Sequence, residues 1–87
     1  MALVKFKVES KAKAYWIAVD DKDVRLVDGE GSADLKPGEH ILTWWMLGKG
    51  GDAMTITGAT SAKEVVKATS RIPPGQGSHA NAKRFKV

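Results

Sequence analysis

Three tryptophans, two histidines and a run of acids hold most of the chemistry open to this 87-residue chain. Trp44 and Trp45 are neighbours, and neighbouring residues of a strand point to opposite faces. With His40, Leu42, Trp44 and Met46 turned to a core, Ile41, Thr43, Trp45 and Leu47 turn away from it. The same phase puts Tyr15, Ile17 and Val19 inside and Trp16 outside. An outer face of Trp16, Ile41, Thr43, Trp45 and Leu47 is too apolar for a merely solvated surface. It is expected to lie under the 60–72 segment, or to meet a protein partner or a second copy of the chain. Small domains gain from such extra burial. Stacking of a sugar or other small molecule on the exposed indoles is an alternative use.

The charged residues suggest two further sites. Asp20, Asp21, Asp23, Asp28 and Glu30 supply oxygen ligands, but Lys22 and Arg25 break the alternating spacing of a calcium loop. The acids are therefore read as turn residues. Lys5, Lys7, Arg84 and Lys86 would form one basic patch if the terminal strands were neighbours, and such a patch could bind phosphates of a nucleic acid or another polyanion. Lysines on edge strands also discourage edge-to-edge pairing, which is the competing explanation. The net charge of +4 is polarised, with basic ends around an acidic middle, which weakens a nucleic-acid reading.

Catalytic signatures are thin. There is no cysteine. Gly48-Lys49-Gly50-Gly51 lacks the spacing of a phosphate-binding loop, and Gly75-Gln76-Gly77 does not follow a strand and open a helix. Ser78 and His79 are adjacent, but sequence neighbours seldom reach the geometry of a nucleophile and its base. The expectation is a non-enzymatic module with no cofactor and no metal.

The elements that must position these residues read as strands. Val4, Phe6 and Val8 alternate with Lys5, Lys7 and Glu9. A second strand spans Tyr15 to Val19, Asp20–Asp23 turns the chain, and Val24 to Val27 returns. His40 to Leu47 is the strongest strand, and Ala53 to Thr57 follows it. Residues 60–72 fit a capping box and helical spacing, or a strand with Val66, Ala68 and Ile72 on one side and Lys67, Thr69 and Arg71 on the other. The strand is slightly favoured. Gly75 to Ala82 reads as a polar loop before a last strand with Phe85 and Val87. Short strands between Gly/Pro/Asp turns indicate an all-β, antiparallel β-sandwich of about seven strands in one domain, residues 1–87.

One passage carries a resemblance. Leu35, Pro37, Gly38, His40 and Leu42 resemble the Leu-x-Pro-Gly-x-His-x-Leu turn of small Ig-like or prealbumin-like sandwiches, and most of all the PEGA-type domains of bacterial surface and envelope proteins. The naming tetrapeptide of that family is missing. The resemblance covers about a dozen residues and implies a small sandwich used for protein or carbohydrate contacts, usually without catalysis.

At 9.4 kDa the chain should expose roughly 5,000 Å² when folded. Its longest uncharged apolar stretch, Ile41 to Gly48, is far short of the ~20 residues of a membrane span. Lys5, Lys7 and Glu9 interrupt any signal-peptide core, and a cytoplasmic location is slightly favoured.

Overall fold

Period-two alternation does become strand. The computed structural model describes residues 1–87 and contains eight strands: β1 (Ala2–Ser10), β2 (Ala14–Val19), β3 (Lys22–Val24), β4 (Glu30–Leu35), β5 (Glu39–Leu47), β6 (Ala53–Ala59), β7 (Glu64–Arg71) and β8 (Ser78–Lys86). They form two four-stranded sheets of order β4-β1-β6-β7 and β3-β2-β5-β8, and every pairing is antiparallel. The two sheets pack face to face as a β-sandwich. No helix is long and apolar enough to cross a membrane.

The core is the meeting of the two inner faces. Val4, Phe6, Val8, Met54, Ile56, Val66 and Ala68 come from the first sheet, and Ile17, Val19, Leu42, Trp44, Met46 and Phe85 from the second. Phe6 and Phe85 meet edge to face across the gap, with ring centres 6.4 Å apart, a favoured aromatic geometry. The accessible surface is 5714 Å², above the roughly 5,000 Å² expected for the mass. The 41 × 23 × 20 Å outline accounts for the excess, because an elongated slab has more surface than a sphere of equal volume.

Turn chemistry sets the hairpins. Asp20 and Asp21 take φ of 50° and 65° and close the β2–β3 hairpin in two residues. Positive φ at both central residues is the type I′ arrangement, which matches strand twist. The strand therefore resumes at Lys22, earlier than the Asp20–Asp23 turn reading placed it, and ends at Val24. Asp28 and Gly29 repeat the device at φ 53° and 79°, between Val27 and Glu30. Gly38 has φ 126°, wider than the ~+80° of a regular type II turn. Its N–H donates to the Val87 carbonyl and its carbonyl accepts from the Val87 N–H, both at 3.0 Å. That passage carries the chain from the first sheet to the second.

One open element reading is decided in favour of the strand, and another changes. Residues 64–71 are a strand, with Val66, Ala68 and Ile72 buried and Lys67, Thr69 and Arg71 exposed. Ser78–Ala82, read as loop, belongs to β8, which pairs with β5 from Glu39↔Lys86 to Leu47↔Ser78. Small and polar residues on both sides of this segment hide its alternation, and pairing to β5 supplies the order that its own side chains lack.

Candidate contact face and its surroundings

The outer face of the second sheet is built by register. Trp16 on β2 lies directly opposite Trp45 on β5, and Trp45 lies opposite Ala80 on β8. Trp16 is 50% exposed, Trp45 43%, Ile41 42% and Leu47 43%. Thr43 is half-buried in the same face, between Ala18 and Ala82 in register, and its Oγ1 donates to the Ala18 carbonyl at 3.5 Å. The five residues expected on this face are therefore together.

Nothing covers them. The 60–72 segment, expected as a possible lid, forms β7 at the edge of the opposite sheet beside β6. It packs there because Val66 and Ala68 complete the inner face of the first sheet. The indoles flank an open depression of about 500 Å³ lined by Trp16, Asp23, Trp45, Leu47, Ser78 and His79. Asp23, Ser78 and His79 were not read from the sequence as part of this face. They reach it through β3 and the N-terminal half of β8, the two elements whose limits the sequence misplaced.

The other outer face is different in kind. On β1, Leu3, Lys5 and Lys7 lie opposite Asp34, Ser32 and Glu30 of β4, and Lys5, Lys7 and Glu9 lie opposite Ala59, Thr57 and Thr55 of β6. Lys7 Nζ is also 3.7 Å from Glu9. This is a mixed polar surface, as a solvated sheet face should be.

The basic residues do not form one patch. Lys5 and Lys7 project from β1 in the first sheet, Arg84 and Lys86 from β8 in the second. Their inward neighbours Phe6 and Phe85 are buried, so the two pairs point away from each other on opposite sides of the sandwich. The first and last strands are not neighbours, because β8 pairs with β5 and β1 lies between β4 and β6.

Of the turn acids from Asp20 to Glu30, Asp20 is the one engaged by other side chains and backbone. Asp20 accepts from the Ile41 N–H at 2.9 Å and from His40 Nδ1 at 2.5 Å. His40 Nε2 donates to the Lys36 carbonyl at 2.7 Å. Both partners are acceptors, so this geometry calls for an imidazolium with both nitrogens protonated. The hydrogen bond to Asp20, then that to Lys36, raises the His40 pKa above its ordinary value, against the opposing effect of burial. The His40 hydrogen bond, then the Ile41 N–H, lowers that of Asp20. His40 is 9% exposed and stacks at a tilt on Phe85, with ring centres 5.7 Å apart, so it is a structural core histidine.

Trp44, on the inner face of β5, is buried, and its Nε1–H meets no acceptor. Comparison with protein-family models, with curated proteins and with solved structures finds no match for this chain.

Proposed function

We propose that this protein is a non-catalytic binding or assembly module that meets another polypeptide through the outer face of its second sheet. The observation that carries this is the cross-strand pair Trp16–Trp45, half exposed on a face that no other element covers. Tryptophan is rich in contact energy and has few rotors to immobilise, which suits it to a binding surface.

Magnitude narrows the kind of contact. At these exposures the four large side chains offer on the order of 350 Å² of apolar surface, taking a buried aromatic at up to ~250 Å². That is a full-sized patch for a single domain, where functional patches run to roughly 300–600 Å². It is under half of the ~800 Å² that each side of a standard interface buries. The apolar patch is therefore the centre of an interface whose remainder is polar or main-chain.

Light scattering across concentration, at low and high salt, tests the proposal together with pull-down on immobilised protein. Association that survives high salt and is lost in a Trp16→Ala/Trp45→Ala variant is the expected result, because apolar contact is not screened. Association unchanged in that folded variant would overturn it. The depression between the indoles, with Asp23, Ser78 and His79 beside them, favours a sugar ring as the second reading. Saccharide-dependent indole emission, abolished in the same variant, would support that use instead.

A further inference from the structure

The sandwich has four sheet edges, and three of them are guarded. β3 is only three residues long. β4 carries Glu30 and Asp34, and β7 carries Glu64, Lys67 and Arg71. Short or charged edge strands resist pairing with another chain. β8 differs. It is nine residues long, and its Ser78–Ala82 half has no charged side chain, no proline and no bulge against β5. That half is exposed except for half-buried His79. It does not pair with β7; the two strands flank an open cleft lined by Trp44, Lys67, Thr69, Asn81 and Lys83, crossed by one side-chain bond in which Lys83 Nζ donates to the Lys67 carbonyl at 2.7 Å. The unguarded half also runs directly beside the tryptophan face, with Ala80 opposite Trp45.

We infer that β8 pairs antiparallel with β8 of a second copy of this chain, joining the two second sheets into one eight-stranded sheet. The inference deepens the contact face argued above by naming its occupant and adding the main-chain part that the apolar patch lacks. A closed two-fold pairing brings the same strand to itself, and charge selects the register. The cations Lys83, Arg84 and Lys86 fill the C-terminal half of β8. With Asn81 on the two-fold axis, Ala80 lies opposite Ala82, His79 opposite Lys83 and Ser78 opposite Arg84 of the second copy. Each cation then faces an uncharged residue, and the two Asn81 amides lie across from one another; each Asn81 Oδ1, which accepts the Ala82 N–H at 2.8 Å in the single chain, turns to its counterpart and frees that edge donor for the second copy.

The outer face gains from this register. Trp45 of each copy stands at one side of a trough floored by Ala80 and Ala82 of both copies. Three strand spacings separate the two Trp45 positions across the sheet, roughly 14 Å. The tryptophan faces of two copies thus become the two walls of one surface, which neither copy builds alone.

The test uses the full chain in sedimentation equilibrium. Wild type is expected to dimerise. Asn81→Lys, at an exposed site, sets like charges opposite each other and should weaken the dimer at least tenfold, and Asn81→Asp should do the same. An equimolar mixture of the two variants should recover dimer, because opposite charges then meet on the axis. A monomeric wild type, an Asn81→Lys dimer as tight as wild type, or a mixture that stays monomeric would each overturn the inference. Trp16→Ala/Trp45→Ala separates it from the contact-face reading. A dimer that persists in that variant but is lost in Asn81→Lys keeps the edge pairing and removes the role of the indoles in it. The reverse pattern keeps the indoles and removes the edge.

Discussion

His40 Nδ1 donates to the Asp20 carboxylate across 2.5 Å, tying the start of β5 to the β2–β3 hairpin. Asp20 also receives the Ile41 N–H, so one carboxylate holds both a side chain and the backbone of the neighbouring strand. The pair fastens the sheet that carries the tryptophans at the end where β5 enters it.

That pair makes stability depend on pH in a defined direction. The folded pKa of His40 is raised, so its contribution is complete below its unfolded value near 6.5 and is lost as pH rises through the folded value. The folded pKa of Asp20 is lowered, so its contribution is complete above its unfolded value near 3.8 and is lost as pH falls through the folded value. Urea unfolding should show greatest stability from this pair between these limits. The loss on the alkaline side should be about 1 kcal/mol, since the Asp20 side chain is 45% exposed and the interaction is screened. In Asp20→Asn the alkaline decline should largely flatten.

The three tryptophans should separate by position. Trp44→Ala removes a buried indole and should cost about 3–5 kcal/mol, a large part of a small domain's stability. Trp16→Ala and Trp45→Ala, at half-exposed sites, should each change stability by about 1 kcal/mol or less. In the dilute monomer an aqueous quencher should reach Trp16 and Trp45 and spare Trp44. Equal quenching of all three would contradict this placement.

Gly58 should not tolerate even one methyl group. A Cβ there would lie 2.7 Å from a Val66 methyl and 2.8 Å from a Phe6 ring carbon, inside a closed core. Gly58→Ala is expected to lose about 1–3 kcal/mol by overpacking. Thermal unfolding of the variant checks it, and an unchanged midpoint would show that β6 can move away.

The separated cations predict weak polyanion binding. A single approach can engage Arg84 and Lys86, or Lys5 and Lys7, but not all four. For duplex binding, Arg84→Ala/Lys86→Ala should flatten the slope of log K against log salt by about 2, at roughly 0.9 for each phosphate that is no longer neutralised. Lys5→Ala/Lys7→Ala should flatten that slope by less, about 1 at most, because Lys7 lies opposite Glu30 and 3.7 Å from Glu9, which leaves Lys5, opposite Ser32 and Ala59, to meet a phosphate. Equal effects of both double variants would point to a shared surface.

Much of the sandwich was legible in the order of residues alone. Alternation over Val4–Val8, Tyr15–Val19 and His40–Leu47 determines which side of each strand is apolar, because side chains on a strand have period two. It therefore determined that Trp44 is buried and that Trp16 and Trp45 share the opposite phase. Residues whose meaning depends on a distant strand were not legible. Ser78–Ala82 has no alternation of its own and became β8 by pairing with β5. Residues 60–72 suit helix and strand, and the inner face of the first sheet chose strand. Whether the tryptophan face is covered, whether four cations meet, and that Asp20 reaches His40 depend on which strands become neighbours. Local pattern assigns a residue to a side of its strand; only the packing of two sheets decides what stands across from it.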